Sequence, residues 1–367
     1  MTEALRVVVR RAWFRVLVGV ALLGLVGLAL WWRGPDWNAV YHAFDFVEWH
    51  WIALAVLINL ASVSARAVAW HLVVNQALPS PHPRHRTVFA AFCVGLLANA
   101  VLPARAGEIA RVAVLRRRLP TGRGTTATLV GTVFAHRLFD LFPVLALVGY
   151  TLEAAKVPRW ALTSIEAFIG VGVTLLAVAV VIAHRQHRPV LDEMGTPRKL
   201  LAMAQRGLAV MKRPGAAAGA TLFQTIGWTL QLFAVYTVMR AFGFGTVPAA
   251  ALVLVLMNVA TVFPFWPGNV GLLQAAIALP LATQYGVDYG KGFAYGLALQ
   301  AVEMSVGVGL GLVFLAREGL SFANLRGMGS EGDDSADEPA DEPAEGAADP
   351  RPEDVPEDEP ARAGLPG

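Results

Sequence analysis

The sequence predicts an all-α protein: a polytopic membrane helix bundle of six full spans and two broken re-entrant hairpins in an inverted repeat, followed by a disordered acidic C-terminal tail. Three observations lead there. Of 367 residues, 56% are hydrophobic and 16% charged, against about 45–50% and about 25% in an average soluble domain. Apolar runs of 17 residues or more recur through the first 320 positions, each long enough to cross a hydrocarbon core of about 30 Å as a helix. Two of the runs are interrupted by Pro and Gly at matching places in the two halves of the chain. This composition excludes an ordinary soluble enzyme.

The first run, 16–32, follows Arg6, Arg10, Arg11 and Arg15 and ends on Trp31 and Trp32. Its charge resembles that of a signal peptide, but no A-x-A-like cleavage site follows and the paired Trp read as an interfacial anchor, so it is expected to stay as a span. A second run covers 49–65. The third, 88–115, is broken at Asn99, Pro103, Arg105, Gly107 and Glu108. Proline lacks a backbone donor and glycine frees the dihedrals, so this stretch reads as two half-helices around a kinked loop, the second starting near Gly107. Runs 128–152, 165–183 and 216–239 are simple spans. Run 249–282 is broken at Pro264, Pro267, Gly268 and Gly271, and 293–316 completes the bundle. Cys93 is the single cysteine, so neither a disulfide nor a Cys-based metal site is available.

Charge decides whether the broken runs cross or turn back. If both turn back and both termini are cytoplasmic, the cytoplasmic loops hold 19 Lys and Arg and the outer loops 5, with Arg66, Arg105, Arg111 and Arg137 at membrane depth. A crossing at the first break alone would carry Arg116, Arg117 and Arg118 outside. The positive-inside rule therefore favours two re-entrant hairpins. Their arms are unequal: 88–102 spans about 22 Å and 109–115 about 10 Å at 1.5 Å per residue. The order span, span, hairpin, span then occurs twice, over about 16–152 and 165–316, starting from opposite sides. That is the pattern of an inverted repeat with a transport site near the midplane.

The net charge of +3 hides a partition. Residues 330–367 carry 14 acidic side chains against Arg351 and Arg362, leaving +15 on the rest. The membrane domain is therefore assigned to 1–320, and the tail, almost without large apolar residues, is expected to remain disordered. The basic segment 185–213 is expected along the cytoplasmic headgroups. The basic balance orients the chain in a bilayer and does not point to nucleic acid.

Charged side chains at membrane depth cost about 2.5–3.5 kcal/mol each on insertion scales, so each calls for a partner or a purpose. Arg105, Glu108 and Arg111 recur at spacing three, on one helical face. Glu108 can neutralise one arginine and not both, leaving a guanidinium beside the free N–H groups of a half-helix, a setting for an anion such as phosphate. An internal salt bridge that shapes the hairpin would use the same residues. Arg137 and Asp140, three apart, can pair locally, or Arg137 can serve a headgroup with His136 as a hydrogen-bond partner. Glu303 is a partner for Arg66 or Arg137, or a proton-binding carboxylate. Arg66, near the cytoplasmic end of its run, can snorkel. The second hairpin offers Asn258, Asn269, Gln274 and another set of free N–H groups near Gly271. Gly307 and Gly311, at GxxxG spacing, read as helix contacts. No Walker loop, GxGxxG, HExxH or nucleophile elbow occurs, His184-x-x-His187 is a weak metal pattern, and no cofactor is expected.

NAVLPARAGEIAR over Asn99 to Arg111, the Arg137 and Asp140 pair, and PFWPGNVG over Pro264 to Gly271 together resemble the flippase-like membrane domain shared with lysylphosphatidylglycerol synthases. The resemblance reaches to about Leu320. It implies a multi-pass protein of the cell membrane that translocates phospholipid or a lipid-linked anionic molecule between leaflets. It also implies that Asn99, Pro103, Arg105, Gly107, Glu108, Arg111, Arg137, Asp140, Pro267, Gly268 and Gly271 are the functional positions. His136 stands where relatives often carry Glu, and Gln274 where an acidic residue often follows the Gly-rich turn, so a proton-coupled scheme does not transfer directly. No aminoacyl-transferring soluble domain is expected, because the tail is too short and too polar to supply one.

The expected partner is thus a membrane lipid with an anionic headgroup, and the chain is not expected to be an enzyme. Two rival readings remain: a membrane-embedded transferase on a lipid phosphate, with Glu108 or Asp140 as general base, and an accessory partner of a cell-envelope glycosyltransferase that docks through the acidic tail.

Overall fold

Four helices set the frame: α2 (Trp49–Ala77), α5 (Thr125–Ala154), α6 (Pro214–Ala241) and α9 (Tyr289–Arg317) are each long and apolar enough to cross a membrane. The computed structural model describes residues 35–78, 80–101, 107–119, 125–163, 213–262 and 269–317, with Gly24 and a few positions between 165 and 174. The expected first span, most of 165–183, the basic segment 185–213 with His184 and His187, the acidic tail, and the site candidates Pro103, Arg105, Pro267 and Gly268 lie outside the described residues. Among those described, every regular element is a helix.

Each long helix outruns the apolar run that predicts it. The 49–65 run becomes a helix to Ala77, because the polar residues that follow remain helix-compatible and their side chains find partners, as Asn75 does on His71 at 3.1 Å. The broken runs resolve into pairs: α3 (His85–Val101) with α4 (Gly107–Arg117), and α7 (Val247–Val262) with α8 (Leu272–Tyr285). The second arms thus start where the sequence places them, near Gly107 and Gly271. At Gly271 φ is +90°, a conformation that L side chains rarely adopt. One short helix escapes the sequence reading, α1 (Trp37–Ala43), started by Asp36, whose carboxylate accepts the Asn38 N–H at 2.9 Å. It rests on α9 through Trp37 edge-on to Phe293 at 5.9 Å.

α2 and α6 form the central pair and run antiparallel. Ser62 donates to the Gly227 carbonyl at 2.7 Å and approaches Gln231, while Leu72 meets Gly219 further along. Around this pair the packing is two-fold in pattern. α4 packs on α5 as α8 packs on α9; α2 packs on α3 as α6 does on α7; α2 meets both α5 and α9, and so does α6. The last helix of each set also crosses to the other set's hairpin, α9 to α3 and α5 to α7. One buried apolar cluster joins α6, α7, α8 and most of α9 to Val144 and Val148 of α5, and another joins α2, α3 and α4 to Val306 and Leu315 of α9.

The two hairpins open at opposite ends of α9. Arg86 at the start of α3, Arg118 just past α4 and Arg317 at the end of α9 line one groove. At the other end, Lys291 of α9 lies 5.7 Å from the ring of Phe244, just before α7. Tyr285, at the end of α8, accepts the Lys156 N–H at 3.0 Å. Many large apolar side chains stay exposed along these helices, among them Leu57, Leu222, Phe233, Leu279 and Val313. Unpartnered apolar faces of this extent suit lipid rather than water.

In membrane vesicles, single cysteines replacing Arg86, Arg118 and Arg317 should react with an impermeant thiol reagent from one side, and cysteines replacing Lys156 and Lys291 from the other. Buried Cys93 should stay silent. Labelling of Arg86→Cys and Arg118→Cys from different sides would refute the hairpin.

Candidate functional site

The first hairpin closes by backbone contact. A Cβ at Gly95 would lie 2.9 Å from the Gly107 carbonyl oxygen and 3.0 Å from Arg111 Cβ, and one at Gly107 would overlap the Gly95 carbonyl and the Asn99 amide. Only glycine at both places lets the arms approach so closely. Asn99 Oδ1 accepts the Gly107 N–H at 2.9 Å. One of the N–H groups that the sequence leaves free for an anion is therefore taken by the hairpin itself, which spares it an unmet donor at membrane depth.

That closure places Glu108 and Arg111 one turn apart, facing α5. Arg111 is buried, ion-paired with Glu108, and its guanidinium carbon stands 4.9 Å from the Trp70 ring and 5.8 Å from Phe92, so aromatic faces share its desolvation. Arg137 of α5 reaches the same carboxylate. Its Nε donates to Glu108 Oε1 at 3.0 Å, its Nη2 bonds the same oxygen, and its Nη1 donates to Asp140 Oδ2 at 3.2 Å. Asp140 Oδ1 in turn accepts from Trp228 Nε1 at 2.8 Å and from Gln224 Nε2. Two carboxylates thus balance two guanidiniums across α4, α5 and α6. The local pairing offered by the sequence is present, Arg137 with Asp140, and the Arg137 side chain is 51% exposed. His136 is buried against Phe92, ring centroids 5.9 Å apart.

Arg66 does not snorkel. Because α2 continues to Ala77, Arg66 sits well inside the helix, with its guanidinium carbon 4.7 Å from the Trp228 ring. Gly227 makes room for it: a Cβ there would lie 2.6 Å from Arg66 Cγ. Arg66 lines two neighbouring cavities, a small one with Asn99, Glu108, Arg111, Arg137 and Asp140, and one of about 280 Å³ with Asn59, Gln231, Asn258 and Glu303. Glu303, the middle residue of α9, accepts from Gln231 Nε2 at 2.6 Å and pairs directly with neither Arg66 nor Arg137. The larger cavity is walled by both hairpins, through Leu96 and Ala100 of α3 and Met257 and Thr261 of α7.

The second hairpin is closed by amides. Gln274 Oε1 accepts the Gly271 N–H at 2.6 Å, again occupying an N–H expected to be free, and its Nε2 donates to Gln300 Oε1 at 2.5 Å. A carboxylate at 274 could accept the first bond and could not donate the second, which is why glutamine serves this interior. Asn269 Nδ2 donates to the Ala260 carbonyl at 3.0 Å, tying the turn back to α7. Gln300 and Glu303 are spaced on α9 as Arg137 and Asp140 are on α5, so an amide, Gln300, takes the place of Arg137 while the second position keeps a carboxylate. Gly307 and Gly311 do face α3: a Cβ at Gly307 would lie 3.6 Å from Leu96, and one at Gly311 would overlap Leu97.

Of the residues singled out by sequence, Asn99, Gly107, Glu108, Arg111, Arg137 and Asp140 converge, and Gly271 lies in the other hairpin. Sequence reasoning missed Gln224, Trp228 and Gln231. Their spacing of four and three puts them on one face of α6, a signal present in the sequence. Residues 13–311 match the family described as Lysylphosphatidylglycerol synthase TM region. No curated protein matches the chain, and no solved structure does.

Asp140→Ala leaves Arg137 Nη1, Trp228 Nε1 and Gln224 Nε2 without their acceptor, and should lower unfolding stability in detergent by about 3–5 kcal/mol, the sum of three donors left short of a partner. Gln224→Leu removes one neutral donor and should cost about 1–3 kcal/mol. Chemical denaturation followed by Trp fluorescence gives the order; equal losses would refute the ion network as the dominant tie.

Proposed function

The chain belongs to the lysylphosphatidylglycerol synthase transmembrane-region family, and from that premise we propose that it translocates phospholipid, or a lipid-linked molecule with an anionic headgroup, between the leaflets of the cell membrane. The observation that carries this reading is the cavity of about 280 Å³ lined by both hairpins and by α2, α6 and α9, into which Arg66, Glu303 and the amides of Asn59, Gln231 and Asn258 bring polar groups among apolar ones. At about 30 Å³ per water it holds roughly nine waters, enough for a headgroup and too little for acyl chains, which would stay in lipid.

In this reading the two sets of helices are inverted repeats, six spans and two re-entrant hairpins, with both termini cytoplasmic. The two-fold packing pattern, the antiparallel central pair and the hairpins opening at opposite ends of α9 all support it. Arg66 is the principal anion ligand, since Arg111 is already committed to Glu108. Arg137, with half its side chain open, is a second ligand. Asn99, Gly107, Glu108 and Asp140 hold these arginines in place. Pro103, Arg105, Pro267, Gly268 and Gly271 belong to the site by the family resemblance. Rocking one set against the other would open the cavity to either leaflet.

In proteoliposomes with fluorescent anionic lipid, Arg66→Ala should slow translocation at least tenfold while the unfolding midpoint stays near wild type, and Arg137→Ala should slow it less. Arg105→Ala and Arg111→Ala complete the series. Equal rates in all four variants would overturn the assignment, and no translocation by the wild-type protein would overturn the function.

A further inference from the structure

The central cavity has a property that an anionic headgroup leaves unused. Arg66 and Glu303 face the same space, yet among the described residues neither has an oppositely charged group within 4.0 Å. Arg66 Nε is buried without a hydrogen-bond partner. Glu303 takes one neutral bond, from Gln231. Charges at membrane depth are normally paired with one another, and these two could neutralise each other across one cavity. They are held apart: the Trp228 ring and the missing Cβ of Gly227 seat the guanidinium on α6, while Gln231 holds the carboxylate from the next turn of that helix. A guanidinium from α2 and a carboxylate from α9, lining one cavity and each without an oppositely charged group within 4.0 Å among the described residues, form a dipolar receptacle.

Resting on the translocation reading above, we infer that this receptacle selects a zwitterionic headgroup, its phosphate on Arg66 and its protonated primary amine on Glu303. A headgroup with phosphate alone satisfies the guanidinium and brings a like charge toward the carboxylate. A headgroup with both charges neutralises both walls and matches each with hydrogen-bonding groups, the phosphate accepting from guanidinium N–H and the ammonium donating to carboxylate oxygen. Asn59 and Asn258, on the same cavity, each donate one N–H to a backbone carbonyl, of Val302 and Leu254, and keep a second N–H for the phosphate ester oxygens of the headgroup. Glu303 is thus the specificity-determining residue, and Arg66 serves either lipid.

The test uses the purified full chain in detergent and two short-chain lipids that differ only in the headgroup, dihexanoyl phosphoethanolamine and dihexanoyl phosphoglycerol, with binding read by titration calorimetry. Wild-type protein should bind the phosphoethanolamine lipid at least tenfold more tightly. Glu303→Gln should erase that preference, Glu303→Asp should keep most of it, and Arg66→Gln should weaken both lipids. Equal binding of the two lipids by wild type overturns the inference whatever the variants do, and so does a preference that survives Glu303→Gln. The same two headgroups on long-chain labelled lipids in proteoliposomes separate this from the function: translocation without preference leaves the function and removes the receptacle, and preferential binding without translocation does the reverse.

Discussion

Glu108 is shared by two guanidiniums, Arg111 on its own short helix and Arg137 on the long helix beside it, and the architecture around the site depends on that sharing. A half-helix of 11 residues is too short to be stable by propensity. It holds its place because a carboxylate at its first turn is anchored to α5, and α5 is anchored through Asp140 to Gln224 and Trp228 of α6. The first hairpin, the last helix of its set and a central helix of the other set are thereby joined by one charge network. That network can form only because Gly95 and Gly107 let the two arms meet and Asn99 satisfies the donor at the start of the second arm.

The two sets solve the same problem with different chemistry. In one, ions bridge the half-helix to the long helix; in the other, Gln274 and Gln300 do so with amides. Separating an ion pair at membrane depth leaves two unpaired charges, whereas separating an amide contact leaves neutral groups and costs less.

Much of this was legible in the sequence. Composition and run length gave the membrane bundle, and Pro and Gly placement gave the start of both half-helices to within a residue, because backbone freedom and lost donors act locally. The spacing of Glu108, Arg111, Arg137 and Asp140 marked the ionic residues for the same reason. The expectations that needed revision each involved a partner from elsewhere. The sequence lets Arg66 snorkel because its apolar run ends at Ala65, yet the helix continues for three more turns and Trp228 draws the side chain inward. The N–H groups at the two half-helix starts were left open to an anion, yet Asn99 and Gln274 each occupy one.

By itself, the sequence determined that the chain must be helical and lipid-embedded, where it breaks, and which residue types carry charge into the interior, since these follow from hydropathy, backbone chemistry and spacing within single segments. Only the tertiary structure decided which charges are spent on each other and which, among the described residues, have no opposite charge within reach. Arg111 and Arg137 each have a carboxylate three positions away in the sequence and Arg66 has none; packing joins the first two through Glu108 and seats Arg66 against Gly227 and Trp228, 161 and 162 positions away.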